Sequence, residues 1–151
     1  MIKIITVGQL KEKYLRDAME EYLKRLQKYT KIQIIELKDQ GLVEEEKAIQ
    51  LEGETILKHI NEKDYVITLE IEGELIDSIG FSKKLEKLEM EYSDICFIIG
   101  GSYGLAEVIK ERAKWHLSFS KMTFPHQLFR VILLEQIYRS YKIRNHEKYH
   151  K

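Results

Sequence analysis

Ile95-Cys96-Phe97-Ile98-Ile99-Gly100-Gly101 is a run of five apolar residues closed by a glycine pair. A strand with one wet face alternates apolar and polar residues. A run that is apolar at every position needs cover on both faces, the environment of a central parallel strand. The glycine pair ends it and opens a turn.

Working outward, strand and helix signals alternate. Ile2–Val7 is a β-branched run ending at Gly8, and Ile32–Leu37 reads as a second strand. Between them, residues 11–29 repeat apolar groups at Tyr14/Leu15, Ala18/Met19, Tyr22/Leu23 and Leu26, which is helical spacing. Residues 44–60 are helical, with Ala48, Leu51, Ile56 and His59 on the apolar face. Tyr65–Ile71 is a third strand, followed by a turn at Glu72-Gly73-Glu74. Ser82 caps a helix running to Tyr92. After the Ile95–Ile99 strand come a short helix around 106–113, a strand at Trp115–Ser120 and a long helix from about Pro125 to Arg144. Five strands interleaved with helices define an open, mostly parallel α/β sheet with helices on both faces.

The chain has 151 residues, one proline and no Ser/Gly-rich linker, so residues 1–151 are expected to form one domain. Its single cysteine, Cys96, has no intrachain disulfide partner and falls in a buried strand, where it reads as inert core. No apolar run has the length of a membrane helix, and the first ten residues lack the pattern of a signal peptide. The expectation is a cytoplasmic protein. Formal net charge is zero, but it is unevenly spread. Residues 1–35 carry eight basic against four acidic groups, residues 36–91 seven against sixteen, and residues 92–151 ten against five. The two ends therefore supply the material for a basic face.

Ligands of open parallel sheets bind beyond the carboxyl ends of the strands. Three segments leave strand ends: residues 69–73, the glycine turn Gly100 to Gly104, and Phe119 to Phe124. The glycine turn matches neither GxxxxGK[ST] nor GxGxxG, so it supports no P-loop or dinucleotide fingerprint. Ser118 to Gln127 mixes hydroxyls, apolar groups and a proline at the first helical turn, which suits a loop around a small amphiphilic ligand. The final helix has more apolar surface than one stripe needs, and a second copy of the chain is the simplest cover for the surplus. The tail places Arg139, Lys142, Arg144, His146, Lys148, Tyr149, His150 and Lys151 together, groups that neutralise phosphates and stack on unpaired bases. The histidines follow no zinc spacing, and no metal is expected.

Phe97 to Gly104, then Leu117-Ser118-Phe119-Ser120-Lys121-Met122-Thr123-Phe124-Pro125-His126-Gln127, and the ending Tyr149-His150-Lys151 resemble the hallmark blocks of the ribosomal RNA large subunit methyltransferase H family. That family is a minimal branch of the SPOUT methyltransferases, and the resemblance extends over essentially the whole chain. It implies a Rossmann-like sheet whose C-terminal part is tied in a trefoil knot, an exception to ordinary chain topology. It implies a homodimer that uses S-adenosylmethionine to methylate N3 of a pseudouridine in 23S rRNA on the ribosome. Cofactor contacts implied by position are Leu69, Gly100, Phe119, Ser120, Lys121, Met122, Thr123 and Phe124. Tyr149 and His150 are implied to sit near the target base, and with Arg139 of the basic tail they are the expected catalytic residues. Lys148 stands where the family often has proline.

Two other readings share parts of this pattern. A non-catalytic ribosome-associated RNA-binding protein accounts for the basic ends and the dimer helix, but not for loops at three strand ends. A flavodoxin-like protein needs a phosphate loop after the first strand, where Gly8-Gln9-Leu10-Lys11 is thin support.

Overall fold

Strands β1 (Ile2–Val7) and β4 (Ile95–Ile99) are buried at every position, as their composition requires. In the computed structural model, which describes residues 1–41 and 43–151, they lie side by side at the centre of a five-stranded sheet. The strand order is β2-β1-β4-β3-β5, with β2 at Ile32–Leu37, β3 at Tyr65–Leu75 and β5 at Trp115–Ser118. Every pairing is parallel.

Alternation along the strands sorts side chains between two layers. Ile2, Ile4, Ile95, Phe97 and Ile99 meet α1 (Lys13–Leu26), α3 (Ser78–Glu91) and α5 (His126–Arg144). Ile5, Val7, Cys96 and Ile98 meet α2 (Glu45–Leu57) and α4 (Glu107–Arg112). Full burial of such side chains contributes roughly 1.5–3 kcal/mol each. Lys3, the one cation inside β1, is buried in an ion pair with Asp64, whose Oδ2 also accepts from the backbone N–H of Asn61.

Several boundaries differ from the sequence reading. Helix α3 starts at Ser78, and Asp77 caps it by accepting from the N–H of Gly80 at 2.7 Å. Ser82 instead lies buried in the helix and donates to the carbonyl of Ser140. Helix α2 ends at Leu57, which leaves His59 exposed rather than packed. Strand β5 stops at Ser118, two residues short of Ser120. Most consequentially, β3 does not end before a turn at 72–74. It bulges and resumes, so that Leu69 and Glu74 both lie against Leu117 of β5.

Candidate active site

The bulge is the first wall of a cavity of about 500 Å³ at the carboxyl edge of the sheet. Bulges beside sites re-aim side chains that a regular strand would send to alternate faces. Here Leu69, Glu70, Ile71 and Glu72 all border the cavity. Gly73 permits the return of the chain, because a Cβ on it would stand 2.7 Å from the carbonyl oxygen of His116.

The second wall is the glycine loop after β4. Gly104 adopts φ 91°, a left-handed conformation that favours glycine, and its N–H donates to the carbonyl of Gly101. A Cβ on Gly100 would stand 2.9 Å from Leu105 Cδ2 and 3.0 Å from the Gly104 oxygen. The strand-end position predicts a ligand against Gly100, and the loop's own atoms also leave little room for a side chain there.

The third wall is the segment after β5. Ser118 donates to the carbonyl of Ser120, and the Ser120 hydroxyl accepts from the N–H of Met122, which stiffens the turn from within. Phe119 packs against Phe81 and Phe129, and Phe124 lies against Phe129 at 6.3 Å. Leu69, Gly100, Phe119, Ser120, Met122, Thr123 and Phe124 all border the cavity. Lys121 does not; its side chain is exposed beside it.

Arg139, Tyr149 and His150 also come together, but elsewhere. Arg139 lies 4.6 Å from the centre of the Tyr149 ring and donates to His150 Nδ1 at 3.1 Å. Glu135, one helical turn earlier, pairs with Arg139 at 2.8 Å and accepts from the Tyr149 hydroxyl at 3.0 Å. Burial and the Glu135 carboxylate push the Tyr149 phenol up to about 12, so it stays a proton donor at neutral pH. None of the three borders the cavity. Phe129 does, and further along α5 Glu135 is six positions on and Arg139 ten, about 9 and about 15 Å at 1.5 Å per residue.

Four polar residues by the cavity or the tail carried no individual role in the sequence reading, although Glu70 falls in the 69–73 segment. Glu70, His116 and Lys110 converge across β3, β5 and α4, and Glu135 organises the tail. Only the i, i+4 spacing of Glu135 to Arg139 gave a sequence signal. Cys96 is buried as expected, and desolvation pushes its thiol up to about 12, which leaves it unreactive. No group of three His, Cys, Asp or Glu side chains suited to a metal occurs among the described residues. No helix among them is long and apolar enough to cross a membrane.

The chain is a parallel α/β protein with a cavity of about 500 Å³ at the carboxyl edge of its sheet, the place where open α/β folds hold small ligands. The family described as "Predicted SPOUT methyltransferase" matches residues 1–150. A Methanococcus maripaludis protein is 54% identical over 157 aligned positions. The ribosomal RNA large subunit methyltransferase H of Clostridium acetobutylicum is 52% identical over the same length. Each alignment covers 99% of both chains. Among solved structures, a probable methylase family protein from Haemophilus influenzae shares the fold, with a TM-score of 0.57 at 13% identity, covering 99% of this chain and 70% of that one. The chain belongs to the ribosomal RNA large subunit methyltransferase H family, within the SPOUT methyltransferases.

Proposed function

We propose that this protein transfers the methyl group of S-adenosylmethionine to N3 of a pseudouridine in 23S rRNA, acting on the ribosome in the cytoplasm. The observation that carries the reading is the cavity itself, bounded by the three segments that the sequence pattern singled out. Its volume falls in the range of small-molecule sites. Its walls suit an adenosyl group: phenylalanine faces for the purine, main-chain groups of two turns for its edge, and hydroxyls for polar atoms. Leu69, Gly100 and residues 119–124 would hold the cofactor, with Lys121 at the rim. When bound, it supplies an activated methyl group that needs no further chemical help from the protein.

The chain's own work is alignment and proton management. Uracil-type N3–H must lose its proton before the nitrogen can attack. In the tail cluster Arg139 donates to His150 Nδ1, which leaves the His150 proton on Nε2 and makes that atom a donor. Tyr149 is also a donor. The cluster therefore favours the anionic form of the base through Arg139 and His150, with the proton passing to water, rather than abstracting it.

This reading includes a homodimer. Along one chain the tail cluster lies about 9–15 Å past the cavity on α5, a gap that the tail of a second copy would close. Ile71, Leu75, Ile79 and Leu128, apolar yet 36–50% exposed, offer the surface for that contact. The C-terminal trefoil knot and the single 1–151 domain, both typical of the family, belong to the same reading.

The test is mass spectrometry of 23S rRNA nucleosides after incubating ribosomes from an unmodified strain with the protein and S-adenosylmethionine. N3-methylpseudouridine should appear only when both are present. Its absence, together with ribosome binding, would favour a non-catalytic RNA-binding protein.

A further inference from the structure

We infer that Glu70 is the ribose-binding residue of the cavity, accepting a hydrogen bond from a hydroxyl of the nucleoside diol through its Oε1. The inference rests on the adenosyl-cavity reading above and adds to it a residue of this chain's own.

Glu70 is held with unusual firmness for a carboxylate at a cavity wall. Its side chain is 13% exposed. Oε2 accepts from the Thr68 hydroxyl at 2.6 Å and meets His116 Nδ1 at 2.5 Å. Thr68 is fully buried in β3, and Thr68 and His116 are themselves 2.9 Å apart, so the three side chains form one closed network. That network fixes the carboxyl plane. Oε1 lies 3.7 Å from the Lys110 ammonium and accepts no hydrogen bond among the described residues. A carboxylate oxygen accepts two or more hydrogen bonds when ionised. Glu70 thus carries spare acceptor capacity, fixed in direction, on the wall of a cavity that Lys110 also borders.

Among the parts of an adenosyl ligand, the diol is the one that needs such an acceptor. The purine offers faces to aromatic and aliphatic walls and an edge to main-chain groups. The ribose offers two neutral O–H donors, and a fixed carboxylate is the strongest uncharged-donor acceptor a protein has. Carboxylates at strand ends serve ribose hydroxyls in other parallel-sheet folds for the same reason. Glu72, the other carboxylate at the cavity, is exposed and makes no hydrogen bond among the described residues. Burial works against ionisation of Glu70, but the Thr68 and His116 hydrogen bonds, with a smaller contribution from Lys110, hold its carboxyl below the ordinary range while leaving Oε1 open.

Titration calorimetry on the full chain tests this, with S-adenosylhomocysteine, its 2′- and 3′-deoxy forms and 5′-methylthioadenosine as probes. The wild type should lose about tenfold in affinity toward one deoxy form, the scale of a hydrogen bond to a charged group. Glu70→Ala should bind S-adenosylhomocysteine and methylthioadenosine about tenfold more weakly and no longer distinguish that deoxy form. A general structural defect would weaken all four probes equally, leave the discrimination intact and overturn the inference. Loss confined to S-adenosylhomocysteine would assign the carboxylate to the amino-acid portion and overturn it too. Wild-type binding unchanged in Glu70→Ala defeats this inference alone, whereas no wild-type binding to any probe defeats the cavity reading as well. If Glu70→Ala does not fold, Glu70→Met, which keeps the length and removes both acceptor oxygens, carries the same comparison.

Discussion

Arg130, buried in the second turn of α5, donates to the main-chain carbonyl of Gly8 at 2.7 Å. It also donates to Val7 at 3.2 Å and to Glu36 Oε2 at 2.6 Å, while the same carboxylate oxygen accepts from the N–H of Leu10. One planar guanidinium therefore ties the start of α5 to the carboxyl ends of β1 and β2. Gly8 at φ 96° turns its carbonyl toward it. Arg130→Ala should lower stability by about 3 kcal/mol, because two main-chain carbonyls and a carboxylate lose their donor. Arg130→Lys should recover little, since one ammonium does not reproduce the fork. Urea unfolding of both variants decides; a cost under about 1 kcal/mol for the alanine change would show the tie to be dispensable.

Gly73 is where the bulge of β3 meets β5. A methyl group there would press on the His116 and Leu117 backbone at 2.7–2.8 Å, and backbone cannot rotate aside. Gly73→Ala should cost about 2 kcal/mol and displace Glu70 and Leu69 from the cavity wall. Cofactor affinity should fall more than stability alone explains. Wild-type affinity in a destabilised Gly73→Ala protein would show that the bulge does not position the wall.

The layered fold was legible because each strand announced its environment. Ile95–Ile99, apolar throughout, lies at the sheet centre, whereas Ile32–Leu37, with polar Gln33 and Glu36, forms an edge. The cavity was legible for a related reason: loops after parallel strands sit at one edge whatever their sequence. The bulge was not, because Glu72-Gly73-Glu74 has the composition of a turn, and only pairing with a strand more than forty residues away keeps it in the sheet. The contact of Glu70 with His116 was illegible on the same account. They are far apart in sequence, and no periodicity links a residue on β3 to one on β5. The Asp77 cap lost to Ser82 because the apolar pattern of α3 begins weakly, at Ile79 and Phe81.

Glu52 introduces a pH dependence. It is buried in α2, its Oε2 accepts from the N–H of Gln40 at 3.1 Å, and its Oε1 has no partner among the described residues. Burial raises its pKa above the ordinary 4.5, the Gln40 N–H partly counters this, and Asp39 adds to the rise. The folded protein therefore holds this proton more tightly than the unfolded chain. Stability from this group is fullest below pH 4.5 and declines as pH rises toward the elevated folded value. Glu52→Gln removes the decline. Urea midpoints from mildly acidic to neutral pH should fall more steeply for the wild type than for Glu52→Gln; parallel curves would show that Glu52 ionises as freely as an exposed carboxyl.

The separation of cavity and tail makes the proposed dimeric site testable without a structure of the complex. In Gly100→Val the added branch meets Leu105 and the Gly104 carbonyl, so the glycine loop shifts and the cofactor wall with it, while the buried β4 strand stays in place. Deleting Tyr149–Lys151 removes two of the three groups of the tail cluster and leaves the cavity untouched. Each variant alone should retain its thermal melt within a few degrees and lose nearly all rRNA methylation. The deletion should keep cofactor affinity, and Gly100→Val should lose it. Mixed and allowed to exchange subunits, the two should regain activity, since a heterodimer then has one intact cavity facing one intact tail. If a chain used its own tail, every site in the mixture would carry a defect and the mixture would stay inactive. Restoration therefore requires a site shared between copies, and its absence, with exchange verified by mass, would place each tail at its own chain's cavity.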